Sequence, residues 1–123
     1  MIRFACILAL ALSVSAVSAQ SVKLSDAEIS ILLSGNTAVG DWDGTSYRQY
    51  FGTDGVTILV QPNARPSLGE WRVADDEFQS IGPGERDWKG WFVMEYNGVW
   101  FWVSKTTPPT PFEVLEGNQL IEE

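Results

Sequence analysis

The 123-residue sequence predicts a mainly β domain of short antiparallel strands, with one short α-helix near its N-terminus. Three observations carry this. Runs of five to nine residues rich in Val, Ile, Thr and aromatics recur between Gly, Pro, Asn and Asp clusters, the pattern of strands and turns. One Asn-Gly pair stands between two strongly apolar runs. Only one stretch carries helix start and stop signals together.

That stretch is Ser25-Asp26-Ala27-Glu28, a capping box in which the Ser25 side chain and the Glu28 backbone N–H, and the Glu28 side chain and the Ser25 N–H, satisfy each other. Leu24 and Ile29 occupy the hydrophobic-staple positions, and Asp26 and Glu28 suit the positive end of the helix dipole. Ile29, Leu32 and Leu33 form an apolar stripe, and Gly35 can adopt the left-handed conformation that ends a helix. A helix from Asp26 to Ser34 is expected.

The expected strands follow in order. Asn36 to Val39 is the first and Ser46 to Phe51 the second, turned by Thr53-Asp54-Gly55 into Val56 to Gln61. Pro62 to Pro66 breaks the pattern. Leu68 to Ala74 turns at Asp75-Asp76 into Glu77 to Ile81, and Gly82 to Arg86 is a loop. Trp88 to Tyr96 and Val99 to Ser104 flank Asn97-Gly98, a pair suited to a type I′ turn. A two-residue turn sets the register, so Tyr96 faces Val99, Met94 faces Phe101 and Phe92 faces Val103. The other side of this hairpin carries Trp91, Val93, Glu95, Trp100 and Trp102. Both sides are largely apolar. One must line the core; the helix is expected to cover the tryptophan side, because soluble monomers rarely leave large apolar patches bare. Left uncovered, Trp91, Trp100 and Trp102 form a binding surface. Thr106 to Pro111 is a stiff connector to a last strand at Phe112 to Leu115, and the acidic tail from Glu116 is expected to fray.

The N-terminus reads as an export signal. Arg3 supplies a positive charge, Phe4 to Val14 an apolar run, and Val17-Ser18-Ala19 small residues for cleavage before Gln20. The run is shorter than the ~20 residues that span a bilayer. Cys6 lies too early to be a lipoprotein cysteine. The chain divides into a signal peptide, residues 1–19, and a single β-rich domain, residues 20–123, that is periplasmic or secreted and has no further membrane span. Without Arg3 the domain carries seven basic and 16 acidic residues, a net charge of −9. Phosphate backbones and anionic lipid are repelled by such a charge, so nucleic acid is not an expected partner.

The expected domain contains no histidine and no cysteine. Disulfides are therefore excluded, and packing of six Trp, five Phe and three Tyr must hold the fold. The commonest general base and metal ligand is also missing. Asp41-Trp42-Asp43-Gly44 spaces oxygen ligands two apart, yet lacks the rest of a calcium loop and reads as turn chemistry. No metal and no cofactor are expected, and the chain is not expected to be an enzyme. In Gly69-Glu70-Trp71-Arg72-Val73, Gly69 marks a bulge or close backbone approach. Trp71 and Val73 share one face; Arg72, on the other, either pairs with a carboxylate across strands or serves as a ligand group at a barrel mouth.

Leu24 to Ile29, Leu32 to Thr37, Tyr50-Phe51 with Asp54-Gly55, and Gly69 to Val73 together resemble a group of small exported proteobacterial proteins of no established activity, over roughly Leu24 to Trp102. The resemblance implies an antiparallel lipocalin-like or open barrel in the periplasm. It carries over no catalytic residues. Members often have a cysteine pair after the Trp-Arg-Val strand, where this chain has none. The expected function is binding of a small apolar or amphipathic molecule, or of a protein, with Trp91, Trp100, Trp102, Trp71 and Arg72 as candidate contacts. The alternative is an acidic inhibitor of a basic secreted enzyme such as a lysozyme, since opposite charge steers encounter. A carboxylate-based hydrolase ranks third.

Overall fold

The computed structural model describes residues 20–121; the expected signal segment, with Cys6, lies outside the described residues. The elements are β1 (Val22–Lys23), α1 (Asp26–Leu33), β2 (Thr37–Trp42), β3 (Thr45–Phe51), β4 (Val56–Val60), β5 (Ser67–Ala74), β6 (Glu77–Ile81), β7 (Lys89–Tyr96), β8 (Val99–Val103) and β9 (Thr110–Leu115). Strands β2 to β9 follow one another as an antiparallel meander, and β9 pairs back onto β2. Among the described residues the result is a closed eight-stranded barrel, lipocalin-like in form, with one short helix. Closure leaves none of the eight strands with a free edge to pair with another chain.

The hairpin register is the expected one: Tyr96 pairs with Val99, Met94 with Phe101 and Phe92 with Val103. Asn97 and Gly98 take φ of 51° and 78°, as a type I′ turn requires. Asp75-Asp76 and Asp43-Gly44 turn the chain the same way, with φ of 56° and 57°, and 55° and 83°. β2 runs further than expected, through Asp41 and Trp42, because these two pair with Ser46 and Thr45 of β3; residues 37 to 40 pair with β9 as well. β1 was not expected. Two residues are too short to show a period, and its pairing to β7 at Met94 and Glu95 is set by position alone.

The helix forms where its caps dictate. Glu28 N–H donates to Ser25 Oγ at 3.3 Å, and Ser25 N–H donates to Glu28 Oε1 at 2.9 Å. A second reciprocal pair locks it to the β5–β6 turn: Asp26 N–H donates to Asp76 Oδ1 at 2.9 Å, and Asp76 N–H to Asp26 Oδ1 at 2.7 Å. Ile29 and Leu33 are fully buried, each contributing about 1.5–3 kcal/mol by burial. Gly35, at φ 78°, donates its N–H to Phe51 O at 2.7 Å, turning the chain into β2. The helix therefore closes one end of the barrel. It does not lie over the tryptophan side of the hairpin, as expected from the sequence. That side faces the barrel interior, and the other strands enclose it.

Among the described residues, the tail after β9 is held and does not fray. Thr37, wholly buried, donates its Oγ1 hydrogen to Gly117 O at 2.7 Å and accepts from Gln119 N–H at 2.9 Å. Asn36 Oδ1 accepts from Gly117 N–H, and Arg48 donates to Gln119 O. Local polarity of the tail concealed these long-range partners.

Alternation sends one residue in two into the barrel. Phe51 stands at the centre, edge-on to Trp71 at 5.5 Å and to Phe78 at 5.4 Å between ring centroids. Trp102 stacks on Phe112 at 4.0 Å, and Trp71 Nε1 donates to Gly52 O at 2.8 Å. Gly69 permits the β5–β6 approach: a Cβ there would stand 2.6 Å from Ile81 O.

Because the strands alternate in direction, the connections fall into two sets. Helix α1 and the β3–β4, β5–β6 and β7–β8 turns occupy the closed end. The Asp43-Gly44 turn and the 61–66, 82–88 and 104–109 loops rim the open end. Replacing Ser25 by Ala should lower stability by about 0.5–2 kcal/mol, as loss of an N-cap does. Ser30→Ala, within the same helix, should cost much less in the same denaturant melts; equal losses would contradict the capping role.

Candidate functional site: a cavity at the open end

A cavity of about 290 Å³ opens between the rim loops and the core. Its apolar lining is Trp42, Tyr47, Leu59, Phe78, Trp91 and Trp102, and its polar lining is Gln49, Gln61 and Ser80. None of these nine side chains is charged at neutral pH.

Parity explains the set. On β3, Tyr47, Gln49 and Phe51 alternate inward; on β4, Thr57 and Leu59 do so, and Gln61 continues the row just past the strand's end. The register places Gln49 opposite Leu59 on β4 and opposite Ala38 on β2. Trp42 ends β2, and its ring meets Trp91 edge-on at 6.5 Å and 87°. The two unlike sets of side chains come from different parts of the wall. Gln49, Gln61 and Ser80 belong to the β3–β4 and β6 side, where Tyr47, Leu59 and Phe78 alternate with them; Trp42, Trp91 and Trp102 belong to β2, β7 and β8.

Tyr47 and Trp102 set the floor. Trp102 Nε1 donates to the Tyr47 hydroxyl at 2.9 Å. Gly40 makes room for that hydroxyl: a Cβ at position 40 would stand 3.2 Å from it and 3.1 Å from Pro111 O. Burial pushes the Tyr47 phenol above its ordinary pKa of 10.0; the Trp102 hydrogen bond opposes this, and the Asp41 carboxylate adds a smaller upward push. Gln49 Nε2 donates to Thr57 Oγ1 at 2.9 Å, which in turn donates to Tyr50 O. The Gln49 carbonyl oxygen is thus left for the cavity. The Gln61 and Ser80 side chains make no hydrogen bond among the described residues and are open to it as well.

The sequence-nominated residues divide. Trp91 and Trp102 line the cavity. Trp71 is buried deeper, held by Gly52, and Trp100 packs against the core from the β8 side. Arg72 is on the outer wall, away from the mouth. Its Nε donates to Gln79 Oε1 at 2.7 Å, and its guanidinium lies 4.0 Å from the Trp88 ring centroid. It thus pairs across strands with an amide, whose Nε2 donates to Glu77, and not directly with a carboxylate. Trp42 was missed because it stands inside an Asp-Trp-Asp-Gly run that reads as a turn. Gln49 and Gln61 were missed too, although each lies two residues from an inward apolar neighbour, which is the signal that places them.

Among the described residues, no group of three acidic, Cys or His side chains gathers as a metal site would require, and no helix is long and apolar enough to cross a membrane. No protein family matches the chain, and no curated protein or solved structure does.

Tyr47 offers a test of this floor. A folded-state pKa raised above the unfolded value gives stability that is complete below pH 10 and is lost as the pH climbs through the folded pKa. Tyr47→Phe should remove part of that alkaline loss. At neutral pH it should cost about 1–3 kcal/mol, because the buried Trp102 N–H loses its acceptor. Denaturant melts at neutral pH and above pH 10, for both proteins, check both effects; parallel alkaline losses would contradict the assignment.

Proposed function

We propose that this protein is an exported, non-enzymatic binding module whose barrel cavity takes a small, neutral, amphipathic molecule. The single observation that carries this reading is the composition of the cavity: six aromatic or aliphatic side chains, three uncharged hydrogen-bonding ones from β3, β6 and the end of β4, and no charge. Concave, mostly apolar sites with a few convergent polar groups are the usual form of small-molecule pockets. Charged ligands would leave water for a site with no counter-charge, which is costly.

The lining also supports a role without catalysis. Its hydroxyls belong to Ser80 and Tyr47, and no His, Lys or carboxylate stands among the lining residues to activate either. No carboxylate pair lines it as a glycosidase mechanism would need. The inhibitor alternative called for an acidic loop projecting toward a partner. The acids at the closed end, Asp26, Asp75 and Asp76, are instead bound into the capping exchange or a two-residue turn, and Glu85 folds back onto Gly82 and Lys89.

A mouth-blocked variant tests the reading. Gln61→Trp should fill the entrance while leaving the fold intact, since position 61 is past the end of β4. Native mass spectrometry of protein taken from the exported fraction of its own host should show a small bound molecule that the variant lacks. That material should begin at or within a residue or two of Gln20. Equal adducts on both proteins would contradict the cavity as the site, and recovery of intact Met1 in the soluble exported fraction would contradict the export reading.

A further inference from the structure

We infer that the ligand is a neutral pyranose, a free hexose or the hexose end of a larger glycan. This rests on the cavity being the binding site and goes on to name the chemical class.

A ligand with a polar head and an apolar tail would want polar partners at the mouth and none below. Here the polar groups do not stop at the mouth: Gln61 stands at the open end of β4 and Ser80 one residue from the open end of β6, while Gln49 lies deeper, two positions from the innermost residue of β3. An acyl chain lying in this space would cover the Gln49 carbonyl and the Ser80 hydroxyl with methylene groups. Each covered group would lose its water without gaining a partner, at a cost of about 1–3 kcal/mol. A flat aromatic ring fits no better. A ring slot needs two parallel faces, and the two tryptophans at the mouth, Trp42 and Trp91, stand perpendicular at 87°.

A pyranose meets both walls. Its C–H face is apolar and slightly positive and suits the negative face of an indole. Its hydroxyls both donate and accept, as the other wall requires. Gln49 offers its carbonyl oxygen as an acceptor, one of its two amide hydrogens being given to Thr57. Tyr47 accepts from Trp102, so its own hydroxyl hydrogen can donate. Gln61 and Ser80 can each do both. The absence of charge excludes sugar acids and sugar phosphates, which would need Arg or Lys beside them. The volume of about 290 Å³ is that of about ten waters at roughly 30 Å³ each, which suits one substituted six-membered ring.

The test uses the intact domain with methyl pyranosides of glucose, galactose and mannose, and cyclohexanol as an apolar ring of like size. Calorimetry and tryptophan fluorescence are the readouts. At least one pyranoside should bind and alter the tryptophan emission. Gln61→Leu and Ser80→Ala should each weaken that pyranoside by about tenfold or more, the loss expected for an unpaired polar contact, while cyclohexanol binding is unchanged or tighter. Thermal melts of the two variants should match the parent, since neither side chain has a bond within the described residues. Cyclohexanol binding with no pyranoside binding would overturn the sugar assignment and leave the cavity reading standing. No binding by any of the four would overturn both. Pyranoside binding unaffected by either substitution would place the sugar elsewhere and overturn the inference.

Discussion

Everything in this molecule depends on a ring of aromatic side chains packed inside a barrel that has no covalent staple. Phe51, Trp71, Phe78 and Trp102 touch one another in edge-on and tilted pairs between 5.1 and 6.3 Å. Phe112 extends the cluster through its stack on Trp102. A domain of this size buries only about two-thirds of its unfolded surface, so each large ring counts. The aromatic cluster draws side chains from β3, β5, β6, β8 and β9, and so holds the meander in a closed ring. Aromatic pairs add about 0.5–1.5 kcal/mol each beyond the area they bury.

The same packing explains why one end is a cavity. At the closed end Ile29 and Leu33 of α1 and Leu24 complete the core, and the capping exchange between Asp26 and Asp76 fixes the helix against the wall. Among the described residues no helix covers the open end. The inward positions there are filled by long or flat side chains that meet only in places, as Trp42 and Trp91 do, and space is left between them. Gly40 and Gly69 deepen this effect. Each stands at an inward position and contributes no side chain, and at each a Cβ would crowd a backbone carbonyl. Stability is thus invested at one end and access is left at the other.

How much of this was legible from the sequence depends on how local each signal is. The helix and its capping box were legible because their partners lie within four residues, and the Asn97-Gly98 register because a two-residue turn fixes every pair beyond it. The closure of β9 onto β2 was not, since it joins Thr37 to Leu115. Nor was the side of the hairpin that faces inward, because Phe92, Met94, Phe101 and Val103 are as apolar as their alternates. These outer residues are only partly covered; Lys23 shields one of them, its ammonium 4.1 Å from the Phe92 ring centroid. Two of the five nominated contacts line the cavity, and both were found through the hairpin parity. Arg72 drew attention as a charge in an aromatic run, yet it is spent on Gln79 and Trp88. The polar half of the cavity escaped because glutamine and serine carry no motif; only counting twos along each strand places them.

The central claim is that the two-walled cavity at the open end is where this protein meets its ligand. The most direct measurement is a nitrogen–proton spectrum of the six indole N–H groups during titration with the pyranosides and cyclohexanol. The account predicts that the signals of Trp42, Trp91 and Trp102 move with a common saturation curve. Those of Trp71, bonded to Gly52, and of Trp88, stacked under Arg72 outside the barrel, should stay in place. Movement of Trp88 with Trp42, Trp91 and Trp102 unmoved would contradict the claim and put binding on the outer wall.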